Sequence, residues 1–151
     1  MAVSNEPKIY LIQKMKSLDK DIQTLLQEAV DARLSSYSPY SKFKVGAAVL
    51  CEDGTIYRGC NVENVSYPVG ICAEKTAFGN AICSGKNKFK AVAVIANQEK
   101  CFTPPCGACR QFISEFGELD LYLAKPDLSD VLVTNLKDIL PLRFETCDFT
   151  F

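Results

Sequence analysis

Apolar residues in the first part of the chain recur with the spacing of an amphipathic helix. Within residues 17–37 they fall at i, i+4, i+7, i+8 and i+11, which places them on one helical face. These positions are Leu18, Ile22, Leu25, Leu26 and Ala29. The helix breaker Pro39 follows, so the pattern predicts that this helix ends at "SPYS".

The next two segments read as strands of a hairpin. Residues 42–51 and 55–63 are separated by the turn Glu52–Gly54. Asp-Gly between two such runs is typical of a β-hairpin. A second helix is predicted from about Cys72 to Ser84, with Gly85 as its C-terminal cap.

The remaining elements alternate between apolar runs and short helical segments. The continuous apolar run at residues 89–97 indicates a strand that is covered on both faces. After it the pattern predicts a helix at 108–116 ending at Gly117, strands at 119–124 and 131–135, and a helical turn at 136–141.

This order of elements predicts a three-layer α/β/α fold with one mixed five-stranded sheet. Strands connected through a helix should run parallel, whereas the hairpin strands are antiparallel. The length of 151 residues suits a single domain over residues 1–151. Residues 1 to about 14 read as a loose N-terminal extension.

Composition and charge narrow the classes of partner. The net charge of −1 provides no basic field for a phosphate backbone, so we expect no nucleic-acid partner. No apolar run reaches the roughly 18 residues that span a bilayer, and the first residues lack the pattern of a signal peptide. We therefore expect a soluble, cytoplasmic protein without a membrane partner.

The chain has eight cysteines and no histidine. Without an export signal, clustered cysteines indicate metal binding or catalysis more than disulfides. The absence of histidine excludes Ser-His and Cys-His pairs and every histidine-bound metal. A metal site in this chain must therefore use thiolates or carboxylates.

Candidate chemistry lies at two predicted helix starts. Cys72 and Glu74 lie at the first, and Cys106 and Cys109 lie at the second, in "PPCGACRQF". The partial positive charge of a helix N-terminus stabilises thiolates. If the two helix ends face each other, three thiolates can bind one zinc ion and leave a fourth position open for water.

Glu74 is two residues from Cys72 and does not share its helical face. Both side chains can still reach a metal that lies beyond the helix end. Glu74 could then accept a proton from the water on the metal and pass it on.

Other interpretations of these residues remain open at this stage. Cys-x-x-Cys is often half of a structural zinc site, for which Cys83 or Cys101 could supply the fourth ligand. A redox pair is also possible, but it would leave Cys72 and Glu74 without a role. The full set, Cys-Ala-Glu followed by Pro-Cys-x-x-Cys, matches the pattern of zinc deaminases, which includes a three-cysteine form.

The sequence closely resembles the small cytidine deaminases that act on free nucleosides, of the three-cysteine, homotetrameric type. The motifs that carry the resemblance are "SYSPYSKFKVGAAVL", "GCNVENVSYPVGICAEKTAF", "PPCGACRQFISEFG" and "ILPLRF". They cover most of the chain beyond the N-terminal helix. The resemblance implies hydrolytic deamination of cytidine and deoxycytidine in pyrimidine salvage, with one zinc ion per subunit and active sites shared within a homotetramer.

The resemblance also implies roles for single residues. It assigns zinc binding to Cys72, Cys106 and Cys109, and proton transfer to Glu74. For the substrate it implies that Asn61 and Glu63 bind the sugar 3′-hydroxyl, that Phe43 forms an aromatic wall, and that the Ala73 N–H binds the pyrimidine carbonyl. Phe144 would enter a neighbouring subunit's pocket, and Tyr40 and Tyr67 would lie near subunit contacts.

Read from the residues alone, these substrate positions are less specific. Asn61 and Glu63 alternate at a strand end and so share one face, but they also suit a turn or the surface. Phe43 and Phe144 would by default be core aromatics.

Two residues depart from the family pattern. Lys75 follows Glu74 where the family usually has an arginine that offsets the thiolate charge, so Lys75 or Arg110 is expected to supply this charge balance. Pro104 stands where the family commonly has Ser or Thr. The expected role of that position uses its backbone carbonyl, which proline retains.

Alternative functions within this interpretation are a deaminase of another free nucleoside analogue, such as an antibiotic, and a non-catalytic structural-zinc domain. "CNVEN" favours a nucleoside over a free base, because a base offers no ribose to bind. Glu74 argues against the structural-zinc domain, since a structural zinc does not need that carboxylate.

Overall fold

The computed structural model describes residues 11–145, which form one mixed six-stranded sheet and four α-helices. The strands are β1 (Leu11–Lys14), β2 (Val45–Cys51), β3 (Ile56–Cys60), β4 (Phe89–Ala96), β5 (Asp120–Ala124) and β6 (Asp130–Asn135). The helices are α1 (Lys20–Leu34), α2 (Ala73–Cys83), α3 (Gly107–Ser114) and α4 (Leu136–Ile139). Within this described range, no helix has the length and apolar character needed to cross a membrane.

The strand order across the sheet is β1-β6-β5-β4-β2-β3. Strands β4 and β5 pair in parallel, and all other neighbours in the sheet pair antiparallel. Because β3 and β4 are both antiparallel to β2, they run in the same direction. The predicted mixed sheet, the hairpin β2–β3 and the parallel direction of strands connected through α2 and α3 are therefore confirmed.

The predicted number of five strands is wrong. Residues Leu11–Lys14, part of the predicted loose extension, form the edge strand β1 along β6. Leu11 and Ile12 are both 55 % exposed, so this strand has no alternation of buried and exposed residues from which it could be recognised. Its backbone hydrogen bonds to a strand that is distant in sequence determine its structure. The first ten residues of the predicted extension lie outside the described residues.

Alternating side chains of the central strands divide the core into two layers. In β2, Ala47 and Val49 face the side of α2 and α3, whereas Ala48 and Leu50 face α1. The α1 layer contains the predicted apolar positions Leu25, Leu26 and Ala29, all fully buried. Helices on both faces of the sheet confirm the predicted three-layer α/β/α architecture.

Aromatic rings fill the second layer. The ring of Phe78 in α2 stacks on Phe116 at 5.1 Å between centroids and meets Phe89 edge-on at 4.8 Å. The ring of Phe112 packs against the same group. This cluster joins α2, β4 and α3 and so fixes the two helices relative to each other.

Gly59 allows α2 to lie directly on the hairpin. A Cβ atom at this position would lie 2.2 Å from the backbone N of Ala77 and 2.4 Å from the carbonyl O of Ala73, which is far inside van der Waals contact. The absence of a side chain therefore sets the distance between β3 and the first two turns of α2. Gly85 ends this helix with φ of +80°, as predicted for a C-terminal cap.

Candidate active site and metal centre

Three cysteines meet at the N-termini of α2 and α3. Cys72 is the N-cap residue of α2, Cys106 is the N-cap residue of α3, and Cys109 lies in the first turn of α3. Neither N-cap side chain bonds to its own helix. Both thiols are therefore free to point toward the space between the helix ends, where the helix dipoles favour negative charge.

The spacing of the three sulfurs fits a zinc ion. Their Sγ atoms all lie within 4.8 Å of one another, and Cys72 Sγ is 3.9 Å from Cys106 Sγ. A tetrahedral zinc site with Zn–S bonds of about 2.3 Å requires sulfurs about 3.8 Å apart. Among residues 11–145 this is the group whose ligand atoms could hold a metal, and it includes neither Cys83 nor Cys101. The structure therefore does not support either of them as the fourth ligand of a structural site.

Electrostatics at the cluster favour a thiolate at Cys72. Hydrogen bonds from the thiols of Cys109 and Cys106, together with the charge of Lys75, lower the pKa of Cys72 to about 6. The pKa of Cys109 is raised, because its thiol donates a hydrogen bond to the sulfur of Cys72 and because it is buried. A thiolate is the form in which cysteine binds metal.

Glu74 lies in the first turn of α2 and is only 4 % exposed. Burial raises the pKa of its carboxyl group above the ordinary value, and the negative charge of Cys72 adds to this shift. A buried carboxyl group beside the cysteine cluster can therefore hold or release a proton closer to neutral pH than an exposed glutamate can.

The cysteine cluster and Glu74 open onto a cavity of about 580 Å³. Of the residues predicted from the sequence, the cavity wall contains Phe43, Asn61, Glu63, Cys72, Ala73, Glu74 and Cys106. Pro104, Tyr40 and Tyr67 also line it. Cys109 lies behind this wall and is fully buried. The fold thus brings residues from four separate segments of the chain to a single pocket.

Asn61 is held by the loop that precedes β2. Its Oδ1 accepts hydrogen bonds from Val45 N at 2.9 Å and from Ser36 Oγ at 2.5 Å, and its Nδ2 donates to Phe43 O at 2.8 Å. One N–H of the amide remains for a ligand in the cavity.

Glu63 is held by the neighbouring part of the same loop. Its Oε2 accepts from Tyr40 N at 2.9 Å and Ser41 N at 3.2 Å, and its Oε1 accepts from the Ser41 hydroxyl. The hydrogen bonds, above all that from Ser41, lower the pKa of Glu63. The side chain is therefore an ionised acceptor with a fixed orientation.

The two candidate charge-balance residues have different surroundings. Lys75 Nζ lies 5.9 Å from the centroid of the Phe112 ring and acts on Cys72 through its charge. Arg110 donates to Pro105 O and Ile139 O, both at 2.8 Å. These bonds fix the loop before Cys106 and connect it to α4.

Phe144 lies outside the cavity of its own chain. It is 76 % exposed, so the default interpretation as a core aromatic is wrong. Its backbone is nevertheless held on α3, because Gln111 Nε2 donates to Phe144 O at 3.0 Å and Phe144 N donates to Gln111 Oε1 at 3.3 Å.

Sequence reasoning missed Ser36 and Ser41. Both appear in the sequence only as polar residues next to the helix breaker Pro39. Nothing in that pattern indicates that they bond to Asn61 and Glu63, which lie more than 20 residues further along the chain. The signal that could have found them is the cluster of short polar residues immediately before an apolar strand.

Comparison with known proteins agrees with this geometry. The model of the cytidine and deoxycytidylate deaminase zinc-binding region matches residues 19–125. The chain is 47 % identical over 133 residues to a cytidine deaminase of Sporosarcina psychrophila, covering 87 % of this chain and 96 % of that protein. It is also 41 % identical over 129 residues to a cytidine deaminase of Halalkalibacterium halodurans, covering 85 % of this chain and 97 % of that one.

The fold is likewise similar to a crystal structure of cytidine deaminase from Burkholderia pseudomallei. The TM-score is 0.76 at 42 % identity, over 81 % of this chain and 98 % of that one. The chain therefore belongs to the cytidine and deoxycytidylate deaminase zinc-binding family.

Proposed function

We propose that the protein is a zinc-dependent cytidine deaminase, which hydrolyses cytidine and deoxycytidine to uridine and deoxyuridine with release of ammonia. The observation that carries this proposal is the cluster of three thiols and one buried carboxyl group at two helix N-termini, beside a single cavity that Cys72, Cys106 and Glu74 line. A structural zinc site has no need of the carboxyl group or of an adjoining cavity.

The ligands for zinc are Cys72, Cys106 and Cys109, whose spacing fits three positions of a tetrahedron. When bound, zinc supplies Lewis-acid chemistry that makes water a nucleophile near neutral pH. Two helix N-termini and the charge of Lys75 offset part of the negative charge of three thiolates.

Glu74 moves the protons. Its carboxylate accepts a proton from the attacking water and delivers it to ring N3 of the cytosine as the C4–O bond forms. It then accepts the proton of the new C4 hydroxyl and delivers it to the C4 amino group as the C–N bond breaks, so that ammonia leaves and the C4 carbonyl remains. The raised pKa of Glu74 suits a group that must act as base and acid in turn.

Backbone groups orient the pyrimidine. Ala73 is the first residue of α2, so its N–H has no partner within the helix and can donate to the C2 carbonyl oxygen. Pro104 lines the cavity, and its carbonyl can accept from the substrate amine. Phe43 provides an aromatic wall for the ring.

Asn61 and Glu63 can together bind one hydroxyl group of the sugar. The remaining N–H of Asn61 can donate to the hydroxyl oxygen, and the carboxylate of Glu63 can accept the hydroxyl hydrogen. This pairing of one donor and one acceptor fits a hydroxyl and favours a nucleoside over a free base. The choice of the 3′-hydroxyl follows from the resemblance to the cytidine deaminases.

We assign the protein to pyrimidine salvage in the cytoplasm, as a single domain over residues 1–151 that assembles into a homotetramer. Exposed aromatics support the assembly: Tyr67 is 77 % exposed beside the cavity, and Phe144 is held outward on α3. In the tetramer Phe144 would enter the pocket of a neighbouring subunit, and Tyr40 and Tyr67 would lie near subunit contacts.

The decisive experiment is an absorbance assay of the zinc-loaded protein with cytidine, deoxycytidine, cytosine and adenosine in parallel. We expect conversion of the two cytosine nucleosides and not of the other two compounds. Failure to convert cytidine, with zinc bound at one ion per chain, would favour the structural-zinc alternative. If cytidine is not converted, a further assay with a cytosine nucleoside antibiotic would test the analogue deaminase, which conversion of that compound would favour.

A further inference from the structure

We infer that Ser41 is a positioning residue, whose hydroxyl orients the carboxylate of Glu63 toward the sugar of the substrate. This inference rests on the proposed function, because it concerns how the same cavity binds a nucleoside. Three observations support it: the hydrogen bonds around Ser41, the position of Ser41 in the cavity wall, and the backbone conformation at Lys42.

The Ser41 hydroxyl has a defined direction. Its oxygen accepts a hydrogen bond from Phe43 N at 3.0 Å, and its hydrogen is donated to Glu63 Oε1. Because the hydroxyl has only one hydrogen, the bond from Phe43 leaves that hydrogen for the carboxylate. The hydroxyl therefore connects the backbone of Phe43, in the aromatic wall, to the carboxylate of Glu63 in the segment after β3.

The backbone around Ser41 wraps the same carboxylate. The N–H groups of Tyr40 and Ser41 both donate to Glu63 Oε2. The next residue, Lys42, has a positive φ of 60°, and its N–H donates to Ser38 O at 3.1 Å. A left-handed conformation at a non-glycine residue is uncommon and is kept only where the surrounding structure enforces it. Here it turns Phe43 back so that its N–H reaches Ser41 Oγ.

These contacts leave little freedom to the Glu63 carboxylate. Oε2 already accepts two bonds from the loop and Oε1 accepts one, so the unused lone pair is that of Oε1. It has a fixed direction at the cavity wall that Ser41, Phe43 and Glu63 share. A sugar hydroxyl is thus bound by an acceptor that is oriented before the ligand arrives, which reduces the entropic cost of binding. Without the hydroxyl of Ser41, Oε1 loses the hydrogen bond that the loop donates to it. The carboxylate is then held at Oε2 alone and can rotate about that oxygen.

Binding to the zinc-loaded Glu74→Gln protein tests this role without turnover. Calorimetry with cytidine and 3′-deoxycytidine would compare that protein with its Ser41→Ala, Ser41→Thr and Glu63→Gln derivatives. We expect Ser41→Ala to weaken cytidine binding about tenfold, because a hydrogen bond to a charged group is lost. We expect no change for 3′-deoxycytidine, and recovery of cytidine binding in Ser41→Thr, which keeps the hydroxyl.

A double variant and a matched control separate positioning from general damage. If Ser41 acts through Glu63, Ser41→Ala should add nothing to Glu63→Gln. Ser129→Ala removes a similar serine–carboxylate bond, 3.0 Å to Asp127, in a turn that does not line the cavity, and it should leave cytidine binding unchanged. Equal losses for both nucleosides, or additive effects with Glu63→Gln, would overturn the inference.

Turnover kinetics in the wild-type background distinguish a failure of the Ser41 role from a failure of the proposed deaminase function. We expect Ser41→Ala to raise KM for cytidine with kcat nearly unchanged, since Glu63 lies at the sugar and not at C4. Cytidine turnover by the wild type together with unaltered KM in Ser41→Ala would overturn the role of Ser41 alone. Cytidine binding that depends on Ser41 in a protein without turnover would instead overturn the deaminase function alone.

Discussion

The burial of Glu74 determines its acid–base properties. A glutamate in the first turn of a helix is ordinarily favourable with the helix dipole and exposed to solvent. Here the side chain is buried next to the cysteine cluster, and burial raises its pKa. Placing an ionisable group there costs stability, and we attribute its presence to proton transfer.

The first prediction concerns this residue. Glu74→Gln should keep zinc and lose turnover by about 10³-fold, because glutamine has the same shape but cannot carry a proton. Zinc content by mass spectrometry and kcat by absorbance would check both parts. Substantial residual turnover in the zinc-loaded variant would contradict the assigned role.

The second prediction concerns the metal ligands. Cys106→Ala should lose bound zinc, because two remaining thiolates hold the ion much more weakly than three. Cys83→Ala is the matched control: Cys83 is exposed at the other end of α2 and should have no effect on zinc content. Retention of one zinc per chain in Cys106→Ala would argue against this ligand set.

At the scale of elements, the site depends on how closely α2 lies on the hairpin. The backbone contacts of Gly59 with Ala73 and Ala77 set the position of the first two turns of α2, and Cys72 is the N-cap of that helix. Any side chain on β3 at this point would displace the helix and, with it, Cys72 and Glu74.

The third prediction tests this packing with two glycines. Gly59→Ala should lower the free energy of unfolding by about 3 kcal/mol or more and reduce zinc retention, because its Cβ meets backbone atoms that cannot move independently. Gly79→Ala in α2 meets nothing within 4 Å and should stabilise the protein by up to about 1 kcal/mol through helix propensity. Thermal unfolding and zinc content of both variants would be compared, and similar effects would contradict the packing argument.

At the scale of the whole molecule, the exposed aromatic at Phe144 is unusual. Gln111 on α3 binds its backbone on both sides, so the ring is held outward by the helix that also carries Cys106 and Cys109. A fixed, exposed aromatic suits an interface between subunits.

The fourth prediction follows from that arrangement. Light scattering should give a mass about four times that of the 16.7 kDa chain. Phe144→Ala should raise KM for cytidine although the ring lies outside its own cavity, whereas Leu142→Ala, in the same exposed segment, should not. A monomer with unaltered KM in Phe144→Ala would contradict the shared site.

Local patterns in the sequence were sufficient for most elements. The spacing of Leu25, Leu26 and Ala29 predicted α1, Asp53-Gly54 predicted the hairpin, and the apolar run at 89–97 predicted a strand covered on both faces. Strand β1 was not predicted, because Leu11 and Ile12 are half exposed and its partner among the described strands, β6, lies far along the chain. A four-residue segment that is ordered by pairing with a distant strand needs no alternation of apolar and polar residues, so its sequence does not reveal it.

The sequence by itself determined the ligand types and their local spacing. The lack of histidine restricted the metal ligands to thiolates and carboxylates, and the place of the three cysteines and Glu74 at helix starts follows from short-range patterns. Only the tertiary structure decided that the three sulfurs come within 4.8 Å, that Glu74 is buried, and that Ser41 bonds to Glu63. The physical reason is that the contacts of Cys72 with Cys106 and of Ser41 with Glu63 join segments more than 20 residues apart. Their approach depends on sheet order and on the packing of α2 and α3.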